Sequence, residues 1–251
     1  GGLIKTFEGH QAEVNKLIFR PDSQRLVSTS DDQTLKLWQV KETQHQVLAG
    51  HGDAIRQLTF NAHGQLFSGA VDRWLNIWQQ QGDSFASLPI QQITPGDPRP
   101  TALTTYDSET ALSFEFGRVK IWKSAGSSLA GQSSTGQPPA DYQLQQTLEA
   151  GTKINQLLYS PDGNYLIATT RDDSLKYWQR EPSGQFPTVP TGASEAIENP
   201  DAIAISPDGQ TIAVATGNHT LTMLNNRGDV IKSVAGHKAD ILSIAISPVG
   251  Q

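Results

Sequence analysis

One sequence template recurs along the chain. Its clearest copies end in tryptophan and read LVSTSDDQTLKLW at 26–38, LFSGAVDRWLNIW at 66–78 and LIATTRDDSLKYW at 166–178, and a weaker copy reads ALSFEFGRVKIW at 111–122. Alignment of these copies places unit starts at positions 10, 51, 97, 150, 196 and 237, so consecutive starts lie 41 to 53 residues apart. A regular period of this length indicates an array of equivalent structural units.

Each unit contains four short runs rich in Val, Ile, Leu, Thr and aromatic residues, separated by clusters of Gly, Pro, Asp and Asn. This pattern predicts a four-stranded antiparallel meander, and a period near 40–45 residues is typical of β-propeller blades. We therefore expect an all-β propeller domain over residues 1–251. In the first unit the predicted strands are Val14–Phe19, Arg25–Ser30, Thr34–Trp38 and Gln44–Leu48.

The two ends of the chain are expected to leave the ring of blades incomplete. Leu3–Phe7 matches an outer strand, and Ile241–Ser247 matches only the inner strand of a sixth unit. The sequence thus predicts five complete blades and one partial blade, with exposed edge strands at both ends. We expect the chain to be a fragment of a longer repeat array.

Composition excludes several classes of site. The chain has no cysteine, which rules out disulfides, cysteine-ligated zinc and a thiol nucleophile. Its formal net charge of −6 argues against a protein that grips nucleic-acid phosphates. No run approaches the ~20 apolar residues that cross a bilayer. We expect a cytoplasmic protein without nucleic-acid or membrane partners. Export stays open, because the N-terminus of the expected parent chain is not visible in this sequence.

The repeated residues resemble the WD-repeat β-propeller family, and the unit spacing is similar to that of its bacterial multi-repeat members. The resemblance implies a buried hydrogen-bonded set of His, Ser or Thr, Asp and Trp in each well-matched unit. Buried polar groups need partners, and these four can satisfy one another. Carried onto this sequence, the complete sets are His10, Ser28, Asp32 and Trp38 in the first unit, and His51, Ser68, Asp72 and Trp78 in the second.

The remaining units keep only part of this set. The third has Trp122 and Ser113, but Asp97 and Phe116 stand in the His and Asp places. The fourth keeps Asp172 and Trp178, with Ala150 and Ala168 in the other two places. The fifth has none of the four and carries Ala196, Val214, Asn218 and Leu224. The sixth supplies His237 alone.

The repeated histidines allow two interpretations. His10, His51 and His237 are either buried hydrogen-bonded residues or a ring of metal ligands. Repeat-equivalent histidines lie one to a blade, so their side chains do not converge on a single metal ion, which favours the first interpretation. The same argument makes Asp32, Asp72 and Asp172 turn-fixing acceptors rather than paired catalytic carboxylates. We therefore expect no catalytic residue, metal or cofactor. The alternative is an enzymatic propeller with an axial metal or an acid–base pair.

One segment interrupts the repeat pattern. Residues 123–141 read KSAGSSLAGQSSTGQPPAD and are rich in Gly, Ser and Pro. This composition predicts a flexible insertion between strands. A docking loop controlled by modification of its serines is the alternative.

In the WD-repeat family, partners dock on the narrow face of the propeller, at positions three and five residues after the His and one residue before the turn Asp. Those positions here include Glu13, Asn15, Asp31, Arg56, Val71, Lys153, Asn155 and Arg171. Trp74 is either a packing variant or an exposed anchor for a partner. The divided charge of this face favours a partner that carries both signs.

The sequence therefore predicts a non-catalytic scaffold for protein–protein interaction, without a cofactor, that presents loops on its narrow face. The expected partner is a protein, a peptide or another domain of the parent chain. The resemblance to multi-repeat WD proteins adds a role as the sensor or docking region of a larger signalling protein.

Overall fold

The computed structural model describes residues 2, 5–20, 25–39, 45–124, 142–194, 197, 199–226 and 228–247. These residues form strands and turns, and none of them lies in a helix. Within the same residues no apolar helix of membrane-spanning length occurs. Five four-stranded antiparallel sheets are present, so the predicted all-β class of propeller blades is confirmed.

The first two sheets, here called blades 1 and 2, contain the best-matched repeats. Blade 1 consists in order of β1 (Val14–Phe19), β2 (Arg25–Ser30), β3 (Thr34–Gln39) and β4 (His45–Ala49). Blade 2 consists of β5 (Ile55–Phe60), β6 (Leu66–Ala70), β7 (Leu75–Trp78) and β10 (Gln91–Ile93), with a short hairpin of β8 (Gln80–Gln81) and β9 (Ser84–Phe85) before its outer strand. The strands predicted for the first unit are therefore correct to within one residue.

The other three sheets repeat the same meander. Blade 3 contains β11 (Pro100–Tyr106), β12 (Glu109–Phe114), β13 (Arg118–Ser124) and β14 (Tyr142–Glu149). Blade 4 contains β15 (Ile154–Tyr159), β16 (Tyr165–Thr170), β17 (Leu175–Gln179) and β18 (Gly192–Ser194). Blade 5 contains β19 (Pro200–Ile205), β20 (Thr211–Thr216), β21 (Thr220–Asn225) and β22 (Val230–Ala235).

The second strand of each blade is buried along most of its length, and every residue of β6 is buried. These strands carry small and β-branched residues, which pack well when both faces of a sheet are covered. The Ser of each complete set lies on this strand, so its hydroxyl must find partners within the protein.

The chain divides into two compact units. Unit 1 comprises Gly1–Pro100, Asp107–Glu109 and Trp122–Leu144, and unit 2 comprises Thr101–Tyr106, Thr110–Ile121 and Gln145–Gln251. Unit 1 has an apolar core that includes Val27, Leu58, Trp78 and Phe85. Unit 2 has one core cluster around Ile154, Leu157, Trp178 and Phe186, and another around Leu175, Ile203, Val214 and Leu224. The single domain expected over 1–251 stays a prediction.

The strands predicted at the two ends are wrong. Lys5–Phe7 lies outside any strand, and Leu3 and Ile4 lie outside the described residues. Ile241–Ser247 also lies outside any strand. A strand needs a hydrogen-bonded neighbouring strand, and among the described residues neither segment is paired with one. The incomplete ring and the longer parent array stay predictions.

The predicted insertion lies almost entirely outside the described residues. Lys123 and Ser124 complete β13, and residues 125–141 are not described. Both interpretations of this segment therefore stay predictions.

A left-handed residue closes the turn between the second and third strand of every blade. Gln33, Arg73, Asp173 and His219 have φ values of 60–69°, and Gly117 has φ 81°. A hairpin that ends in a left-handed residue matches the twist of its two strands. At 117 a side chain meets a second obstacle, because a Cβ there would lie 2.2 Å from the carbonyl oxygen of Thr152.

We predict that Gly117→Ala lowers the free energy of unfolding by about 2–3 kcal/mol, because it combines a strained φ with a backbone clash. Arg73→Gly is the matched control. Arg73 occupies the equivalent turn position in blade 2. Glycine there relieves the strain of a positive φ but raises the entropy of the unfolded chain, so the free energy of unfolding should change by less than about 0.5 kcal/mol. Urea denaturation measures both. Equal losses in the two variants would contradict the argument.

Candidate protein-binding surface

Four side chains of blade 1 form a closed hydrogen-bonded set. His10 Nδ1 lies 2.7 Å from Asp32 Oδ2, and His10 Nε2 lies 2.6 Å from Ser28 Oγ. The indole N–H of Trp38 donates to Ser28 Oγ at 2.7 Å. One arrangement of protons satisfies every group: His10 Nδ1–H donates to the carboxylate, and the Ser28 hydroxyl donates to Nε2 while it accepts from Trp38.

Blade 2 contains the same set with nearly the same geometry. His51 Nδ1 lies 2.9 Å from Asp72 Oδ2, and His51 Nε2 lies 2.8 Å from Ser68 Oγ. The indole N–H of Trp78 donates to Ser68 Oγ at 2.9 Å. Since both ring nitrogens of His10 and of His51 are engaged in these hydrogen bonds, the geometry favours the structural interpretation of these histidines over metal ligation.

The aspartate of each set ties a loop to a turn. Asp32 accepts the backbone N–H groups of Gln11, in the loop before β1, and of Thr34, at the start of β3, both at 3.0 Å. Asp72 does the same in blade 2 with Gly52 at 2.8 Å and Trp74 at 2.9 Å. Each carboxylate therefore fixes the loop that enters the inner strand against the turn between the second and third strands.

These hydrogen bonds also set the charge state of the carboxylates. Burial by itself raises the pKa of Asp32, but hydrogen bonds from the Thr34 hydroxyl, the Gln11 amide and His10 outweigh it and hold the pKa well below its usual value. In the same way, bonds from His51 and from the Trp74 and Gly52 amides overcome burial and lower the pKa of Asp72. Both groups are ionised at neutral pH.

Blade 4 shows what happens when half of the set is missing. Trp178 is completely buried, and its indole N–H has no hydrogen-bond partner among the described residues. Ala168 stands where blades 1 and 2 have the serine acceptor. Asp172 has no histidine beside it and accepts hydrogen bonds from Thr170, Ser174 and Lys176 instead. Burial raises the pKa of Asp172, but these bonds, that of Lys176 foremost, lower it to about 2.

Among the described residues, blades 3 and 5 do not form the complete set. In blade 3, Ser113 is buried and forms a hydrogen bond with the Thr101 hydroxyl at 2.9 Å, while Asp97 and Trp122 are buried and Phe116 is 75% exposed. In blade 5, Val214 and Leu224 pack in an apolar cluster, and the Asn218 side chain accepts from the Thr216 hydroxyl. Ala196 lies outside the described residues.

The structure contradicts a role of His237 in such a set. His237 is exposed, and it follows an exposed outer strand rather than lying over a tryptophan. A Cβ at Gly9 or Gly50 would lie 3.2 or 3.1 Å from the ring of Trp38 or Trp78, whereas one at Gly236 would meet nothing within 4 Å. Among the described residues, no tryptophan ring therefore packs on Gly236 as Trp38 and Trp78 pack on Gly9 and Gly50.

The predicted partner positions meet at one edge of each blade. A backbone hydrogen bond joins the residue three after the His position to the residue before the turn Asp. Its donor and acceptor residues are Asp31 and Glu13 at 3.0 Å, Val71 and Ala54 at 2.9 Å, and Arg171 and Lys153 at 2.8 Å. Gly217 and Asn199 form the same bond in blade 5 at 2.9 Å. The sequence rule therefore selects residues that are neighbours within each blade.

A β-bulge places the next predicted residue at this edge. The pairing of the inner strand with the second strand shifts by one residue at Asn15, Arg56 and Asn155. A bulged residue is left out of the ladder, and its side chain is re-aimed. The same shift occurs in blade 5 at Asp201, which our sequence analysis missed because the fifth unit has no His to count from. Counting five residues from position 196 would have found it.

Three of the predicted partner residues in unit 1 are linked directly. Asn15 Nδ2 donates to Asp31 Oδ1 at 2.6 Å, and Arg56 donates to Asn15 Oδ1 at 2.7 Å and to Asp31 Oδ2 at 3.0 Å. Asn15 Nδ2 also donates to the carbonyl oxygen of Ile55 at 3.1 Å. The Arg56 side chain is 45% exposed and that of Asp31 is 31% exposed. We call Asn15, Asp31 and Arg56 the polar triad.

The other predicted partner residues differ in exposure. In unit 1, Glu13 is exposed and Val71 and Trp74 are half-buried. In unit 2, Asn155 and Arg171 are exposed and Lys153 is half-buried. The half-burial of Trp74 fits both interpretations given above, a packing variant and an exposed anchor.

Unit 2 carries an acidic group at the edge of blade 5. Burial, and then the negative charges of Asp240 and Asp173, raise the pKa of Asp201. Lys153 and Arg171 lie at the same kind of edge in blade 4. Among the described residues, no three His, Asp or Glu side chains come together as ligands for a metal ion.

Comparison with known proteins agrees with the repeat. The family model described as WD domain, G-beta repeat, matches residues 1–39, 42–79 and 142–179. These three segments match WD repeats. The segments 42–79 and 142–179 run from the outer strand of one blade through three strands of the next, so each repeat joins two blades. No matched segment covers the third strand of blade 3 or any of blade 5, where the hydrogen-bonded set has been lost.

Similar WD-repeat proteins match over most of this chain at low identity. Striatin of Homo sapiens is 23% identical over 263 residues, which cover 98% of this chain and 34% of striatin. Nuclear distribution protein nudF of Aspergillus niger is 24% identical over 98% of this chain and 57% of its own length. Target of rapamycin complex subunit wat1 of Schizosaccharomyces pombe is 23% identical over 71% of this chain and 54% of its own length. The chain thus spans about a third to just over half of these relatives.

The Asp32 carboxylate should make stability fall in acid. Its pKa in the folded state lies below the unfolded value of about 3.9, so its contribution is present above that value and is lost as the pH falls through the folded pKa. We predict that Asp32→Asn costs about 1–3 kcal/mol at pH 7 and gives a shallower loss of stability between about pH 5 and pH 2. Urea denaturation across this range measures both. Glu8→Gln, an exposed control, should keep the wild-type profile, and an unchanged slope in Asp32→Asn would contradict the prediction.

The incomplete set of blade 4 can be rebuilt. Ala168→Ser alone gives the Trp178 N–H an acceptor but adds a hydroxyl that has no imidazole to receive its proton. Adding Ala150→His supplies that imidazole beside Asp172. We predict a favourable coupling of about 1 kcal/mol in the double-mutant cycle, measured by urea denaturation. Strictly additive effects would show that the set does not form in this blade.

Proposed function

We propose that this chain is a non-catalytic scaffold that binds a partner protein through the loop-and-turn edge of its blades. The observation that carries the proposal is the polar triad of unit 1. Asn15, Asp31 and Arg56 come from two inner strands and one turn, and they hold one another in place while Arg56 and Asp31 stay partly exposed.

The triad is suited to recognition because it is preorganised. The Asp32 and Asp72 carboxylates fix the loop and the turn on either side of it, so little side-chain freedom remains to be lost on binding. It offers both a guanidinium and a carboxylate to solvent. We infer a partner segment that carries both signs of charge, with Trp74 of the same blade edge as its apolar anchor.

The similar proteins support an assembly role. One of them, Target of rapamycin complex subunit wat1 of Schizosaccharomyces pombe, is by its name a subunit of a complex. The formal charge of −6 supports a protein partner over a nucleic acid. The partner is a separate cytoplasmic protein or another domain of a longer signalling chain, since this chain spans only part of each relative.

Alanine variants test the proposed surface. We predict that Arg56→Ala, Trp74→Ala and Arg171→Ala each reduce recovery of a partner at least about tenfold in quantitative affinity purification from the native cell. Exposed ion pairs add little to stability, so Arg56→Ala should change the free energy of unfolding by less than about 1 kcal/mol.

His63→Ala is the matched control. His63 lies in the turn between β5 and β6, at the opposite end of blade 2, and its side chain is 61% exposed. This variant should recover the partner like the wild type. Thermal unfolding of all four variants establishes that they fold. If no recovered protein depends on Arg56, Trp74 or Arg171 in folded variants, the proposed surface is wrong.

A further inference from the structure

An aromatic side chain fills the groove between blades 1 and 2. Phe85, from the loop between β7 and β10, is 2% exposed and packs on Phe60 with ring centroids 6.2 Å apart. Its backbone is held by the side-chain amide of Gln46 on the outer strand of blade 1. Gln46 Nε2 donates to the Phe85 carbonyl at 2.7 Å, and the Phe85 N–H donates to Gln46 Oε1 at 3.0 Å.

The same arrangement recurs twice. In unit 1, the N–H of Tyr142 donates to Gln91 Oε1 at 3.1 Å, and Gln91 Nε2 donates to the Tyr142 carbonyl at 3.4 Å. In unit 2, the N–H of Phe186 donates to Gln146 Oε1 at 3.1 Å, and Gln146 Nε2 donates to the Phe186 carbonyl. Tyr142 and Phe186 are 5% and 3% exposed. We call each such residue a plug and the glutamine that holds it a clamp.

Among the described residues, the groove between blades 4 and 5 has neither a clamp nor a plug. In blades 1 and 2 the clamp lies on the outer strand, opposite the residue that precedes the tryptophan. Gln46 pairs with Leu37 in this way, and Gln91 pairs with Ile77. In blade 4 the residue opposite Tyr177 is Gly192, which has no side chain to act as a clamp. The loop that would supply the plug is short, with four residues between Asn225 and Val230 against residues 79–90 and 180–191 in blades 2 and 4. None of these four residues is aromatic.

A cavity of about 250 Å³ lies in this groove. Its walls are largely apolar and include Tyr165, Tyr177, Ile205, Ile212 and Leu224. Asn226 and Gly228 of the short loop lie at its edge, as do Gln179 and Ser194, which offer polar groups near the place where a clamp would stand. An apolar cavity of about 150 Å³ is enough to bind benzene. The cavity can therefore hold a phenyl ring.

We propose that the groove between blades 4 and 5 is a binding site for a phenylalanine side chain presented by a partner peptide. The occupant follows from the chain itself, because three equivalent grooves are each closed by an aromatic ring whose backbone is hydrogen-bonded to the preceding outer strand. A peptide that inserts a Phe side chain here fills the groove as Phe85 and Phe186 of this chain fill the equivalent grooves. This site is separate from the polar triad, which belongs to unit 1.

The plug sequence of the chain supplies the probe. The peptide SGQFPTV copies residues 183–189, and SGQAPTV is its matched control. We expect the first to bind with a dissociation constant of about 0.1–1 mM, to shift the backbone amide resonances of Gly192 and Gly228, and to bind at least about tenfold more tightly than the second. Absence of saturable binding at several times this concentration, or equal binding of the two peptides, would overturn the proposal.

A variant that closes the groove provides an independent test. Asn226 is exposed at the cavity edge, so Asn226→Phe brings an aromatic ring from the loop that carries the plug in other blades. It should abolish binding of SGQFPTV and raise the unfolding temperature, whereas Asn226→Ala should bind like the wild type. Binding that survives in folded Asn226→Phe would overturn the site. Sedimentation that shows self-association of the wild type and its loss in Asn226→Phe would also overturn the proposal, because a second copy of the chain would then occupy the groove.

Discussion

The rest of blades 1 and 2 depends on one buried carboxylate in each. Asp32 and Asp72 each accept hydrogen bonds from two backbone N–H groups and from a histidine. The same histidine is hydrogen-bonded to a serine, and that serine accepts a hydrogen bond from the tryptophan of the third strand. A carboxylate in the interior is costly unless its oxygens are occupied, and here they are. A loop, a turn and two strands are therefore fixed relative to one another by one group.

That rigidity carries over to the surface. The loop and the turn held by Asp32 and Asp72 are the segments that present Glu13, Asp31, Val71 and Trp74, and the bulge in each inner strand turns Asn15 and Arg56 toward the same edge. An interface built on such segments loses little conformational freedom when it forms. Blades 3 and 5 lack the carboxylate, and Asp172 in blade 4 replaces its histidine with Lys176 and two hydroxyls, so the constraint varies around the repeat.

Contacts between successive blades follow a second rule. Gln46, Gln91 and Gln146 each hold the backbone of an aromatic residue that fills a groove. Primary amides suit this task because one side chain both donates to a carbonyl and accepts from an N–H. Gly192 cannot do so, and the ring of Tyr177 occupies the space beside it, since a Cβ at 192 would lie 2.4 Å from the Tyr177 hydroxyl.

The sequence by itself determined the blades and the strand order within them, because these depend on residues spaced at a fixed interval and on local pairing. The members of the hydrogen-bonded sets followed from its resemblance to the WD-repeat family. It failed at Lys5–Phe7 and Ile241–Ser247, where a strand-like pattern is not paired with another strand among the described residues, and at His237, which carries the Gly-His motif but is exposed. Only the tertiary structure decided that Asn15, Asp31 and Arg56 touch, that Asp201 shares the bulge position, and that Phe85, Tyr142 and Phe186 are equivalent. Those relations join residues of neighbouring blades, or residues at irregular spacings in loops of different length, and no periodic pattern along the chain records them.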